Sequence, residues 1–469
     1  MSNDVFKLMK AELLVTLLLF ILLFLKIGNK KWKNEALLSL INGLLFCNVM
    51  AGFFGNGEGW LFGNSFHSSP LITLEKNMLS LGTLIISLQA HHWLRQHRHL
   101  LEFYMLLLST LLGMFFMISA NNLLLFYVGL ELSSIPLAAL VNFDLEKRLS
   151  SEAAMKYILS SAFSSGILLF GISLVYGTTG SLDFATLPHQ LNGNPLQVFA
   201  FILLLAGFAF KISVAPFHLW TPDVYEGAPV AVTAYLSVVS KGAMLFVFVP
   251  VLYAVFSSLD RTWYSMICLL AVLTMLIGNL FALRQQNMKR FLAFSSIAQM
   301  GFILIGISGQ SEAGSISVIY FVLVYLFSNL GAFGVVALMS AVAGKENIDD
   351  YKGFYRTNPL LSWVLALSLF SLAGIPPTAG FFGKFFLLMA GAWKGNYWLL
   401  TIAALNMVIS LYYYLRIVKA MFMDEGETPV MRIEAGVSSK VALAICMGGI
   451  LVTGLASGAY QYICSLIAG

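Results

Sequence analysis

The sequence predicts an all-α polytopic membrane protein. Three observations carry this. Hydrophobic residues make up 59% of the 469-residue chain and charged residues only 10%, against about 25% charged in a soluble domain. The apolar residues fall in runs long enough to cross a bilayer, which takes about 20 residues in a helix. Those runs seldom alternate, as barrel strands would. So few charges cannot cover a water-facing surface of this size. The excess of 27 Lys+Arg over 22 Asp+Glu is too small for a nucleic-acid-binding face.

Fourteen candidate spans follow one another along the chain. They lie at about 8–27, 36–54, 71–90, 101–119, 122–142, 153–177, 196–220, 229–256, 262–283, 291–309, 315–343, 360–391, 398–423 and 438–466. The first resembles a signal peptide, but Lys26, Lys30 and Lys31 follow it where a cleavage site would need small residues. It therefore reads as a membrane helix. The basic residues test the count. Lys7, Lys10, Arg261 and Lys394 fall on one side. The loops of the other side hold most of the rest, among them Lys26, Lys30, Lys31, Lys33, Arg284, Lys289 and Arg290. The positive-inside rule makes the richer side cytoplasmic and places both termini outside.

Two segments are not simple helices. Residues 196–230 contain Pro216, Pro222 and Pro229, and residues 360–391 contain Gly374, Pro376, Pro377 and Gly380. Proline removes a backbone donor, and in lipid a freed carbonyl needs a protein or water partner. Such breaks mark a buried polar site, and here each has a lysine beside it, Lys211 and Lys384. Lys384 follows Lys211 by 173 residues. This suggests two five-helix blocks, helices 4–8 over 101–256 and helices 9–13 over 262–423. Five is odd, so the second block is inverted relative to the first.

Glu131, Lys211, Lys241 and Lys384 are predicted to lie inside the bilayer. Lys241 is 12 residues beyond Pro229, roughly 18 Å along a helix and near mid-membrane. Each buried charge costs about 2.5–3.5 kcal/mol, or roughly 10–14 kcal/mol for all four on the same scale. Ionisable groups at this depth are functional by default. Lysine suits proton relay because burial and a movable carboxylate push its proton affinity in opposite directions, whereas arginine holds its proton too tightly. A plain structural ion pair, Glu131 with Lys211, is the alternative, and it leaves two lysines unexplained. His218 is a further candidate for a polar link. Gln299 can bridge water but cannot act as an acid or base. Glu75 and Lys76 are expected to reach the interface by snorkelling. His91, His92, His97 and His99 read as an interfacial basic patch in preference to a metal site. Cys47, Cys268, Cys446 and Cys464 are not spaced as metal or cluster ligands and read as small apolar fillers.

The stretch from Lys211 through Ala215-Pro216-Phe217-His218 and Asp223-Val-Tyr-Glu-Gly-Ala-Pro229 resembles the antiporter-like membrane subunits of respiratory complex I. Tyr127-Val-Gly-Leu-Glu131-Leu, Lys289-Arg-Phe-Leu-Ala-Phe-Ser-Ser-Ile-Ala and Gly374-Ile-Pro-Pro-Thr-Ala-Gly-Phe-Phe-Gly-Lys384-Phe agree with it. The resemblance implies fourteen helices, the inverted repeats, and broken helices 7 and 12. It implies a bacterial inner-membrane subunit of NADH–quinone oxidoreductase with a proton path. In that path Glu131 pairs with Lys211, Lys241 is central and Lys384 stands at the outlet. It implies no redox cofactor in this chain, with FMN, iron–sulfur clusters and quinone in partner subunits, and other membrane-arm subunits as partners. Many relatives carry histidine where Gln299 stands, so proton connection there would rely on water or on Ser295 and Ser296. Two rival readings are a cation/proton antiporter subunit of the Mrp type, without redox coupling, and a structural spacer whose charges only hold helices together.

Overall fold

The computed structural model describes residues 2–28, 32–54, 57–426 and 430–468, with side chains from residue 5 to 467. Lys30 and Lys31, counted above among the cytoplasmic bases, lie outside the described residues. The chain is mostly helical, 79%. Eleven helices among the described residues are long and apolar enough to cross a membrane.

In chain order the main helices are α1 (Lys10–Ile27), α2 (Asn34–Ala51), α3 (Pro70–Gln89), α4 (Leu100–Ile118), α5 (Leu123–Val141) and α6 (Arg148–Thr179). The first broken segment gives α7 (Pro195–Lys211) and α8 (Trp220–Gly227). Then come α9 (Val230–Val255), α10 (Ser257–Ala282), α11 (Met288–Ser308) and α12 (Glu312–Ala343). The second broken segment gives α13 (Pro359–Ala373) and α14 (Ala379–Ala392), followed by α15 (Tyr397–Phe422), α16 (Val437–Leu455) and α17 (Gly458–Ala468).

Both predicted breaks are present. α7 stops at Lys211, and the chain turns through Ser213 at a left-handed φ of 64° before α8 begins. α13 stops at Ala373, with Gly374 at φ 85° accepting the left-handed conformation that a Cβ disfavours.

Three local features differ from the sequence reading. A two-stranded antiparallel hairpin, β1 (Gly59–Leu61) with β2 (Phe66–Ser68), interrupts the all-α class before α3. Its turn uses Phe62, Gly63 and Asn64 with positive φ, and Trp60 stacks on His67 at 3.9 Å between centroids. The final span, read as one helix over 438–466, divides into α16 and α17, where Ser457 and Gly458 weaken the helix. Glu75 and Lys76 do not snorkel. They are 5% and 3% exposed, and Lys76 Nζ lies 2.6 Å from Glu12 on α1. An ion pair within reach removes the reason for the long side chain to seek the interface.

The chain divides into two compact units. One comprises Met1–Leu84, Leu94–Ile212 and Ser240–Ser265, and the other Ile85–Trp93, Ser213–Val239 and Met266–Gly469. In the first, α4 and α5 pack backbone to backbone. A Cβ on Gly113 would stand 2.5 Å from Ser133 N, and one on Gly129 would stand 2.6 Å from Met117 N. Small residues allow this approach, which lipid-exposed helices use in place of hydrophobic exclusion. In the second unit every residue of α11 from Met288 to Ser308 except Arg290 is buried, and α14 packs against both α11 and α12.

Candidate proton-carrying site

In the first unit, Glu131 and Ser134 lie one helical turn apart on α5 and so share a face. Lys211, at the C-terminal end of α7, points to that face. Its Nζ donates to Ser134 Oγ at 2.7 Å and to Ser161 Oγ on α6 at 2.9 Å. Ser134 in turn donates to the Leu130 carbonyl at 2.7 Å. The Glu131 carboxylate acts on the ammonium electrostatically, but the hydrogen bonds of Lys211 go to the two serines. The simple Glu131–Lys211 ion pair is therefore not the arrangement found. Beside Lys211 is a small cavity lined by Ser133, Ser134, Tyr157, Ser240 and Met244 among others. It is narrow, with room for about one water molecule.

Lys241 is 1% exposed. It follows directly on a π-helical turn, Leu236–Ser240, within α9. One extra residue per turn rotates the following side chains, and such turns recur at functional sites. The sequence carried no signal for this turn.

In the second unit, Lys384 on α14 is also 1% exposed. Its Nζ donates to the carbonyls of Leu372 at 2.8 Å and Ala373 at 3.2 Å, the last residues of α13. A helix end leaves these carbonyls unpaired, and their partial negative charge favours a cation. The ammonium also stands 4.7 Å from the centre of the Phe302 ring. Gln299 on α11 donates to the same Leu372 carbonyl at 2.9 Å and to Tyr414 Oη at 3.1 Å. Tyr414 and the Ser295 hydroxyl are 2.5 Å apart. Ser295 thus joins Gln299 through Tyr414, a residue the sequence reading did not single out. The adjacent pair Tyr413-Tyr414 within an apolar helix was the available signal.

His218 lies in the second unit, 7% exposed, with Nδ1 lacking a hydrogen-bond partner among the described residues. Near it in the chain, Thr221 donates to Ser213 Oγ at 2.7 Å. Two of the quoted motifs meet here. Arg290 pairs with Asp223 at 2.7 Å and Glu226 at 2.8 Å. Lys289 lies 3.1 Å from Glu346 and donates to the Ala228 carbonyl at 3.4 Å. These pairs fix α8 to the start of α11.

Two of the four clustered histidines, His97 and His99, have acidic neighbours. His99 Nδ1 is 3.3 Å from Glu102, and His97 is 3.9 Å from Asp144. Burial pushes His97 below the ordinary histidine value, with Asp144 opposing. Among the described residues no group of three or more His, Cys, Asp or Glu side chains converges as a metal site. Of the four cysteines only Cys446 is a fully buried filler, while Cys47 is exposed.

A family described as "NADH:quinone oxidoreductase/Mrp antiporter, TM" matches residues 120–410, which include Glu131, Lys211, Lys241 and Lys384. The chain belongs to this family. It is 46% identical over 461 residues to "NADH-quinone oxidoreductase subunit N" of Phocaeicola vulgatus, covering 97% of each chain. It is 46% identical over 457 residues to the protein of the same name from Azobacteroides pseudotrichonymphae, covering 96% of this chain and 95% of that one. A chain of respiratory complex I from Thermus thermophilus superposes with a TM-score of 0.84 at 29% identity, over 98% of this chain and 100% of that one. The family and the many apolar helices make this a multi-pass membrane protein.

Proposed function

We propose that the chain is subunit N of a bacterial NADH–quinone oxidoreductase and carries protons through the membrane arm of that complex. The observation that carries the reading is the set of three lysines within apolar helices, Lys241 and Lys384 buried and Lys211 half-buried. At Lys211 and Lys384 the hydrogen bonds run to neutral groups. An ammonium held by hydroxyls and carbonyls keeps its proton only while its surroundings favour charge, so a shift of Glu131 or of water changes its loading. Lys211 gives its proton to water in the adjoining cavity, whose wall includes Ser240, the neighbour of Lys241 in the chain. Lys384 is the outlet carrier, with His218 a further polar link. Gln299, which also donates to Tyr414, holds the carbonyl on which Lys384 rests. The lysines bind, orient and release protons, and electron transfer from NADH to quinone takes place in partner subunits that hold FMN and the iron–sulfur clusters.

We infer fourteen crossings with both termini outside, from the eleven long helices together with α1, α7 and the α13–α14 pair. The inverted blocks 101–256 and 262–423 are part of the same reading. The close glycine packing of α4 on α5 has a counterpart in α10 on α11, where a Cβ on Gly278 would stand 2.5 Å from Ala298 N. The Mrp-type antiporter reading shares the family but is less supported, since the relatives at 46% identity carry the oxidoreductase name.

Two experiments test this. Purification of the chain from its membrane should recover flavin- and iron–sulfur-containing subunits; recovery with antiporter subunits alone would favour the Mrp-type reading. Lys241→Met, in a complex that assembles normally, should abolish proton uptake into vesicles. Full pumping by that variant would remove Lys241 from the path.

A further inference from the structure

Three buried polar residues of the second unit, Tyr325, Ser328 and Asn329, stand in the apolar middle of α12, at 3%, 1% and 1% exposure. Ser328 donates to Ser371 Oγ on α13 at 2.7 Å, a contact that holds two helices together. Tyr325 and Asn329 do something else. They lie one turn apart on α12 and meet Ser237, in the π-helical turn of α9. Asn329 Nδ2 donates to Ser237 Oγ at 2.6 Å and to Tyr325 Oη at 2.8 Å, and the two hydroxyl oxygens are 3.1 Å apart. Tyr325 also hydrogen-bonds to Ser296 on α11. Its ring stacks on Phe321 at 6.3 Å between centroids, and Phe321 packs on Gly383, the neighbour of Lys384, where a Cβ would stand 2.9 Å from it.

An amide nitrogen only donates. Ser237 and Tyr325 therefore both accept from Asn329 and keep their own O–H groups to pass on. Ser237 can donate to Tyr325, and Tyr325 to Ser296. Ser295 and Ser296 lie four and three residues before Gln299, and so on its face of α11. Tyr414 meets Ser295 and Gln299 on that face and acts electrostatically on Tyr325. Two phenols thus stand over one patch of α11. One reaches Ser237, and the other reaches Gln299, which shares the Leu372 carbonyl with Lys384. Two amide oxygens of this network, Asn329 Oδ1 and Gln299 Oε1, have no hydrogen-bond partner among the described residues, and both residues are 1% exposed. Buried oxygens of this kind require a donor, and water supplies one.

We propose that Tyr325 is a proton-passing residue of the relay, set in place by Asn329, and that water held by the amide oxygens of Asn329 and Gln299 completes the connection from the π turn to Lys384. This deepens the relay reading and rests on it. A proton arriving at Ser237 Oγ moves on by exchange of O–H bonds. Ser237 gives a hydrogen to Tyr325 Oη, the phenol O–H breaks toward Ser296, and Ser296 gives its own hydrogen to water. That water ends the transfer by protonating the neutral Lys384 amine. Every oxygen regains the hydrogen it loses, so no charge stays on the phenol.

The test compares Tyr325→Phe, Tyr325→His and Lys241→Met in the complete complex, reconstituted in vesicles, by the rate of NADH-driven acidification per assembled complex. Tyr325→Phe keeps the ring and its stacking on Phe321 and removes the hydroxyl. Its acidification should fall about tenfold or more, as for a lost proton-transfer group. Tyr325→His restores a donor and an acceptor and should recover part of the loss, which a residue that only positions α12 would not show. Acidification by Tyr325→Phe equal to wild type overturns the proposal, and so does an equal loss in both Tyr325 variants. Should Tyr325→Phe fail to assemble, Ser237→Ala and Ser296→Ala remove the hydroxyls on either side of the phenol. Loss in both supports the proposal, and a wild-type rate in either overturns it. Lys241→Met separates the two readings. Loss in Lys241→Met with a wild-type rate in Tyr325→Phe overturns the role of Tyr325 alone, whereas full acidification by Lys241→Met overturns the relay with it.

Discussion

Lys384 and Gln299 donate to one and the same oxygen, the carbonyl of Leu372, at 2.8 and 2.9 Å. The break after α13 frees that carbonyl, and two helices supply the donors that satisfy it. Gln299 therefore bears on Lys384 through the backbone. Gln299→Leu should leave Tyr414 Oη without this donor and the Leu372 carbonyl with Lys384 alone. The expected cost is about 1–3 kcal/mol for the polar groups left unsatisfied. Proton pumping should fall while electron transfer in an uncoupled membrane is retained. Vesicle acidification, normalised to NADH oxidation, measures this. Equal pumping per electron would show that Gln299 does not serve Lys384.

The two serines on Lys211 give a second expectation. Ser134→Ala and Ser161→Ala each remove one acceptor from a half-buried ammonium. A hydrogen bond to a charged group contributes about 1.5–3 kcal/mol. Each variant should slow pumping by about tenfold or more, and the double variant should behave like Lys211→Met. Single variants indistinguishable from wild type would leave Glu131 as the sole partner of consequence.

Lys211→Arg separates a relay from a spacer. Arginine preserves the charge but does not release its proton at accessible pH. Assembly should be normal and vesicle acidification lost. Activity equal to wild type would mean that the charge only holds helices together.

The contact of α4 with α5 predicts a structural failure of a different kind. A Cβ at Gly113 meets backbone on every side, at 2.5 Å from Ser133 N and 2.8 Å from Gly129 O. Backbone cannot move aside as a side-chain tip can. Gly113→Ala should force the helices apart at a cost of about 1–3 kcal/mol, as overpacking does. Reduced amounts of assembled complex on a native gel, or a lower unfolding temperature, would register it. Gly166→Ala, where a Cβ meets nothing within 4 Å, is the control.

His97 supplies a pH dependence with a definite sign. Burial beside Phe143 lowers its proton affinity in the folded chain, against the pull of Asp144. The unfolded chain then takes up a proton at higher pH than the folded one. The contribution to stability is present above the ordinary value, about 6.5, and is lost as pH falls through it. Thermal unfolding of the assembled protein at pH 7.5 and 5.5 should show a decline that His97→Asn diminishes. An identical decline in the variant would assign it to other groups.

Hydropathy and proline placement sufficed to locate the eleven long apolar helices and both breaks, because lipid leaves the chain few alternatives. A long apolar run must satisfy its own backbone, and a proline within it must be compensated. The buried positions of Lys241 and Lys384, and the half-buried one of Lys211, followed from the same constraint. The snorkelling assigned to Lys76 failed for a related reason. The position of Lys76 on α3 was legible, but Glu12 is far away in sequence, and only tertiary packing brings the two together.

What the sequence by itself determined was the membrane class, the two broken helices and the residues whose charge is out of place in lipid. Those follow from solvation, which acts on each segment separately. Only the tertiary structure decided the partners: Ser134 and Ser161 for Lys211, the Leu372 carbonyl and Gln299 for Lys384, Glu12 for Lys76, and Arg290 for Asp223 and Glu226. A hydrogen bond is specific over a few tenths of an ångström, and such precision arises from the packing of helices distant in the chain, not from the hydropathy of any one of them.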